Sequence, residues 1–157
     1  MTPAILPAIL LLSPACPTDD PVRVTVVIVL ASETDKKVDR ALVNLAKAVQ
    51  NRDPKLVGFR VHATAEKSIA VGASATIALV EKQELKVTVT RPKGEDGRIA
   101  LTLSAPGVDF VTYGCACDKF FPIATDYRTK KGELVVVAIM AKPCTLGKKK
   151  GWFPWPE

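Results

Sequence analysis

Four cysteines have the widest chemical repertoire in this chain, and three of them lie in its C-terminal third. Cys115 and Cys117 are separated by one residue, Cys144 follows, and Cys16 lies far upstream. Residues two apart on a strand point to the same face, so Cys115 and Cys117 share a face if this segment is extended. Such thiols form disulfides in oxidising compartments, bind soft metals or carry redox chemistry.

A predicted hairpin favours a disulfide between Cys117 and Cys144. Two apolar segments flank the turn Thr129-Lys130-Lys131-Gly132, and a symmetric turn places Phe121 opposite Met140. The same register, extended, places Cys117 opposite Cys144, whereas a three-residue loop would shift the register by one. Cross-strand Cβ atoms lie about 4.5–5.5 Å apart, which a disulfide reaches with small adjustment. Closing this loop would stabilise the fold by about 3 kcal/mol in the chain-entropy account.

A metal or thiol-handling site is the alternative role for these sulfurs. Cys115, Cys117 and Cys144 with His62, the only histidine, would form a ligand set for zinc or copper(I). The sequence contains no CxxC motif and no second histidine to strengthen this interpretation. We therefore predict a structural role for the cysteines, with no metal and no cofactor.

Catalysis is not supported by the remaining polar residues. The alternation of Phe59, Val61 and Ala63 places His62 on the polar side of a strand, as a solvated surface histidine. No Gly-x-Ser-x-Gly elbow, phosphate loop or dinucleotide fingerprint is present. We predict that the chain is not an enzyme.

The N-terminal segment has the layout of an export signal. Residues 1–15 carry no charged side chain and include the apolar run Ala8-Ile9-Leu10-Leu11-Leu12. Ser13-Pro14-Ala15-Cys16 fits a small-x-small cleavage site and also resembles the lipobox of bacterial lipoproteins, in which the cysteine is acylated. We therefore predict a secreted protein of the periplasm, cell envelope or extracellular space, with a possible lipid anchor on Cys16. If Cys16 is not acylated, it is a possible disulfide partner for Cys115.

Composition and charge limit the classes of partner. The chain has 22 basic and 16 acidic side chains, a net charge of +6, which is too modest to indicate nucleic-acid binding. No internal stretch reaches the roughly 20 apolar residues of a transmembrane helix, so no membrane span is expected in the mature chain. The expected partner is an unknown protein or envelope component.

The C-terminal segment, residues 145–157, is basic and aromatic. Its candidate surface-binding side chains are Lys148, Lys149, Lys150, Trp152 and Trp155. Such a segment could contact anionic lipid, wall polymer or a partner. The alternative is a solvated tail whose tryptophans fold back on the domain.

The first half of the domain combines strands with one helix. After a linker at residues 16–21, residues 22–144 are expected to form one domain. The β-branched run Val22 to Ala31 predicts a strand buried on both faces. Apolar residues at helical spacing predict a helix from Asp35 to Gln50, and a second strand follows from Gly58 to Thr64. This order is typical of a βαβ-like unit or of a helix packed across one sheet face.

The second half is dominated by β-patterns. Alternation from Leu85 to Val89 and from Ile99 to Leu103, around the turn Pro92 to Gly97, predicts a hairpin. The apolar run Leu134 to Met140 predicts a central strand in the last hairpin. The fold class is therefore α+β, with one helix on a mainly antiparallel sheet of seven to eight strands, as a sandwich or a partial barrel.

A weak family resemblance accompanies these patterns. The stretch Gly58 to Cys144 resembles small uncharacterised exported proteins of planctomycete-type bacteria. The similarity lies in Ala70-Val71-Gly72, Gly97-Arg98-Ile99, Lys119 to Thr125 and Lys142-Pro143-Cys144. It implies export and an α+β fold and assigns no activity. Residues and resemblance together predict a non-catalytic cell-envelope domain with a binding or structural role.

Overall fold

The computed structural model describes residues 21–143, which contain eight strands and one short helix. The strands are β1 (Val22–Ser32), β2 (Gly58–Ile69), β3 (Ser74–Ala78), β4 (Glu84–Arg91), β5 (Arg98–Ala105), β6 (Val108–Ala116), β7 (Phe121–Arg128) and β8 (Leu134–Pro143). A 3-10 turn at Arg40–Leu42 leads into the helix α1 (Val43–Gln50).

The strands form two antiparallel sheets of four. The first sheet has the order β2-β1-β8-β7, and the second sheet has the order β3-β4-β5-β6. Every pair of neighbouring strands is antiparallel. One helix with antiparallel sheets confirms the predicted α+β class.

The partial barrel is wrong, because the sheets remain separate. The chain leaves the first sheet between β2 and β3 and returns to it between β6 and β7, and neither pair of strands forms a ladder in the described residues. Each sheet therefore keeps two edge strands, whereas barrel closure removes all edges.

The largest hydrophobic cluster contains side chains from both sheets. Alternate residues of β1 and β8 in the first sheet belong to the same cluster as alternate residues of β4 and β5 in the second. Val24, Leu101 and Ile139, for example, have no measurable exposure. β5 is buried on one face only, and its residues therefore alternate strictly between buried and more exposed positions. β8 is buried on both faces, and its sequence is therefore an almost unbroken apolar run.

The helix covers the opposite face of the first sheet. Leu42, Ala46 and Val49 pack with Phe59 and with the outward-facing residues of β1 and β8 in a second cluster. β1 and β8 are central strands buried on both faces, as their apolar runs predicted. Since β1 and β2 are antiparallel neighbours, the βαβ alternative is wrong and the helix-on-sheet alternative is confirmed.

The helix begins later than its apolar spacing predicted. Residues 37–39 pair with β2 instead: Phe59 N–H donates to the Lys37 carbonyl at 2.9 Å, and Asp39 N–H donates to the Phe59 carbonyl at 3.0 Å. The Asp39 carboxylate also accepts from Val61 N–H at 2.9 Å. These tertiary bonds hold the segment extended, so the α-helical residues start at Val43 rather than Asp35.

The predicted hairpins are confirmed. β4 and β5 pair around the turn that follows Arg91, and β7 and β8 pair around Thr129–Gly132. Gly132 has a φ of +82°, a conformation that glycine adopts without strain in a tight turn. Within residues 21–143, no helical segment combines the length and the apolar character that crossing a bilayer requires.

Candidate functional site

The connection between β6 and β7 brings together most of the residues that the sequence singles out. β6 ends in the second sheet with Cys115 and Ala116, and Cys117 and Asp118 form the turn toward the first sheet. Asp118 has a φ of +62°, and its N–H donates to the Ala141 carbonyl on β8 at 3.4 Å. The connection therefore contacts the last strand of the other sheet.

A groove of about 570 Å³ lies beside this connection. It is lined by residues from the C-terminal end of α1 and the loop after it, from β6, and from the first half of β7 with the residues before it. We call it the crossover groove. Its apolar side chains include Val49, Leu56, Tyr113, Phe121 and Ile123, and its charged side chains are Arg52, Asp53 and Lys119.

Aromatic packing holds the two sheets together at the groove. The rings of Tyr113 on β6 and Phe121 on β7 lie with centroids 5.4 Å apart and planes tilted by 35°. Tilted aromatic pairs at this distance are favourable beyond the area that they bury. The groove is thus bounded by a fixed contact between β6 and β7, although these strands form no ladder.

The Cys115 thiol is an inner side chain of the second sheet. It is 2% exposed, lines the groove, and is 4.0 Å from the Tyr113 carbonyl, to which it donates. Burial, with a smaller contribution from Cys117, raises the pKa of Cys115 to about 12. Since the thiolate is the nucleophile and the metal ligand, this thiol is protonated and unreactive at neutral pH.

Cys115, Cys117 and His62 do not assemble into a ligand set. No three His, Cys, Asp or Glu side chains between residues 21 and 143 are grouped so that they could hold a metal ion. His62 is exposed on β2, as predicted, where the register shifts opposite Ile28 and Val29. The fourth proposed ligand, Cys144, lies outside the described residues.

The register predicted for the last hairpin is wrong by one residue. Phe121 pairs with Ile139 and not with Met140. Next to the turn, Arg128 pairs with Leu134 instead of the expected Glu133, because Thr129 N–H bonds to the Glu133 carbonyl and leaves a three-residue loop. An irregularity between Ala124 and Arg128 then shifts the pairing the other way, so that the rest of the ladder is one residue off on the opposite side.

The corrected register of β7 and β8 does not decide which cysteines form a disulfide. Cys115 and Cys117 form no disulfide with each other. Cys144 is outside the described residues, so the Cys117–Cys144 bridge stays a prediction. The predicted signal peptide, Cys16, and the basic and aromatic side chains of residues 145–157 are also outside the described part of the chain.

Several residues of the groove were missed by sequence reasoning. Arg52 follows the helix, and Phe121 begins a strand more than sixty positions later, so no local pattern relates them. The one usable signal was the segment of β6 from residue 110 to 116, which is long, free of charge and free of proline.

Comparison of the chain with protein-family models, with curated proteins and with solved structures finds no match.

Proposed function

We propose that this chain is an exported, non-catalytic domain of the cell envelope that binds a partner through its surface. The observation that carries the proposal is the crossover groove, which combines an apolar lining with cations at its margins. Apolar concave sites with a few charged groups are the usual form of a binding site. The resemblance to exported planctomycete-type proteins agrees with this role and adds no activity.

We propose that the two sheets pack face to face as a sandwich that supports this groove. The support is the hydrophobic cluster, which includes Val24 and Ile28 of the first sheet and Val87 and Leu101 of the second. Side chains that interdigitate between two inner faces form the core of a β-sandwich. A core of this kind would keep the groove walls in place without a cofactor.

We propose that residues 1–15 direct export and that Cys16 is a site of lipid attachment. The supporting observation is the spacing between the leader and the folded part, because β1 begins at Val22 only a few residues after Cys16. A lipid at Cys16 would thus hold the domain close to the membrane surface. A single acyl chain gives weak, reversible binding, and a lipoprotein anchor with several chains is more stable.

We propose that a Cys117–Cys144 disulfide braces the turn after β6 against the end of β8. Asp118 N–H already bonds to the Ala141 carbonyl, which places Cys117 beside the last residues of β8. Cys144 follows Ala141 by three residues, a distance of at most about 10 Å along an extended chain. The described geometry is therefore compatible with the short Cα separation that a disulfide needs.

Intact-mass measurement of the native protein tests these proposals together. We expect the envelope fraction to contain a chain that lacks the leader, with an added diacylglycerol at Cys16 and two hydrogens fewer than its reduced form. Alkylation before and after reduction should label Cys117 only after reduction. A cytosolic chain that keeps Met1 and fully reduced thiols would contradict export and the disulfide, and retained zinc or copper would favour the metal alternative.

A further inference from the structure

The edge of β6 is the least protected of the four strand edges in residues 21–143. β3 has only five residues, β2 carries a register shift and several charges, and β7 contains Pro122 and an irregularity. β6 has nine residues; its own register shift is confined to the end between Val108 and Val111, and the remaining segment 111–116 pairs regularly with β5 and has no charge and no proline. Natural edges are normally blocked by such devices, and an unblocked edge is a template for another strand.

Free backbone groups of β6 point away from β5, and part of this edge borders the crossover groove. Cys117 N–H donates to the Gly97 carbonyl of the neighbouring turn at 3.4 Å, in register with the β5–β6 ladder. Bonded and non-bonded pairs alternate along an antiparallel ladder, so Thr112 and Gly114 direct their N–H and C=O groups away from β5. Gly114 is one of the groove-lining residues.

The side chains that line the groove favour an apolar and acidic ligand, although Asp109 on β6 and Asp118 in the turn after it are also exposed. Phe110 on β6 is 72% exposed and has a φ of +44°, an unusual conformation for a bulky residue. Arg52 on the helix side and Lys119 on the strand side are exposed, and neither forms an ion pair within the described residues. The Asp53 carboxylate is already bonded to Lys55 N–H at 3.2 Å.

We propose that the crossover groove binds an extended peptide segment of a partner protein, rich in carboxylates, as an added strand on the free edge of β6. Main-chain bonds to Thr112 and Gly114 would give affinity, and carboxylates near Arg52 and Lys119 would give selectivity. Phe110 would provide apolar contact at the outer end of the edge. This assignment rests on the proposed binding function and names the class of its partner.

The test uses the full chain and a defined probe, a fluorescein-labelled nine-residue peptide of alternating valine and glutamate, measured by anisotropy. Two matched peptides serve as controls: one has lysine in place of every glutamate, and one has alternate backbone nitrogens methylated. We expect the glutamate peptide to bind at least roughly tenfold more tightly than either control, because edge pairing needs the N–H groups and the cations reject lysine.

Three variants locate the binding. Gly114→Pro removes an edge N–H without removing a bond to β5, and it should weaken binding about tenfold or more. Arg52→Glu with Lys119→Glu should reverse the preference between the glutamate and lysine peptides. Lys67→Glu, a charge change on β2 away from the groove, should leave both affinities unchanged. If Gly114→Pro does not fold, as judged by circular dichroism, the methylated peptide still tests edge pairing.

Several outcomes would overturn the proposal. One is that no peptide binds, and another is that the methylated peptide binds as well as its parent. A shift of tryptophan emission on peptide binding would assign the groove to the chain's own C-terminal segment, since both tryptophans are at positions 152 and 155. If sedimentation shows a dimer and the peptide dissociates that dimer, the groove is occupied by a second copy of the chain. The intact-mass experiment tests export separately, so the two failures can be distinguished.

Discussion

At the scale of single residues, Glu81 connects the two sheets through specific hydrogen bonds. It lies in the turn between β3 and β4, where it and Lys82 have φ values of +52° and +66°. Its carboxylate accepts from the Tyr127 hydroxyl at 2.7 Å and from Lys130 N–H at 3.0 Å. The hydrogen bond from Tyr127, followed by that from Lys130, lowers the pKa of Glu81 below its usual value of 4.5.

Replacing Glu81 should therefore change the pH dependence of stability. Because the folded-state pKa of Glu81 is lowered, Glu81 stabilises the fold at pH values above its unfolded-state pKa. This stabilisation is lost as the pH falls through the folded-state pKa. The Glu81 hydrogen bond, with smaller contributions from burial and charge, raises the pKa of Tyr127 above its usual 10.0. Tyr127 therefore stabilises the fold at pH values below its unfolded-state pKa, and this stabilisation is lost as the pH rises through its folded-state pKa.

Urea unfolding from acid to alkaline pH measures the effect. We expect Glu81→Gln to lower the urea midpoint relative to the native chain near pH 7 and to differ little from it in strong acid. Tyr127→Phe is the matched partner, and the double variant should lose less than the two single losses added together. A stability difference that is independent of pH would contradict the assignment of these bonds.

Single residues were predictable from sequence where their environment is local. The exposure of His62 was predicted correctly, although Val61, which the same alternation placed on the buried side, is 38% exposed where the register shifts. The contacts of Glu81 were not predicted, because Tyr127 is 46 positions away and only the juxtaposition of two turns brings them together. Arg52 and Lys119 are also far apart in the sequence, so they were not recognised as the charged margins of one groove.

At the scale of elements, α1 is held by packing rather than by its own caps. It has eight residues, and neither it nor the preceding 3-10 turn has a side-chain cap. An isolated helix of this length is unstable in water, so its buried face must supply the stability. Leu42, just before the helix, has no measurable exposure and belongs to the cluster beneath it.

Two adjacent substitutions test this dependence. Leu42→Ala removes a fully buried side chain and should cost about 2–5 kcal/mol of unfolding free energy. Val43→Ala changes a neighbour that is 43% exposed and should stay within about 0.5 kcal/mol of the native chain. Chemical denaturation measures both, and equal losses would show that the helix is not anchored by its buried face.

Elements were predicted well where one periodicity dominates. Strict alternation identified β4 and β5, and unbroken apolar runs identified β1 and β8 as central strands. The helix start was wrong because apolar spacing cannot reveal that Lys37 and Asp39 bond to β2. The β7 register was wrong for two reasons: the loop has three residues and not two or four, and the irregularity between Ala124 and Arg128 has no marker in the turn from which the register was counted.

At the scale of the whole molecule, the sheets share their largest hydrophobic cluster. Leu101 of the second sheet and Val137 of the first belong to it, with exposures of 0% and 1%. Separating the two sheets would therefore expose buried side chains of both to water. We expect residues 22–143 to unfold as one cooperative unit, which is typical of chains of this size.

Calorimetry tests this cooperativity. Leu101→Ala and Val137→Ala should each lower the temperature of a single transition, with the calorimetric enthalpy equal to the van't Hoff enthalpy. Thr76→Ala, an exposed change on β3, is the control and should leave that temperature nearly unchanged. Two separate transitions, each sensitive to only one core variant, would show that the sheets are independent units.

The pairing of β1 with β8 also makes the described fold a candidate for circular permutation. Val22 and Pro143 are direct partners, so the first and last strand residues lie only about 5 Å apart. A short glycine linker could join them while new termini are opened in the Thr129–Gly132 turn, which preserves the cyclic order of all eight strands. The same proximity would allow these residues to be inserted into a surface loop of a host protein with little disturbance to either partner.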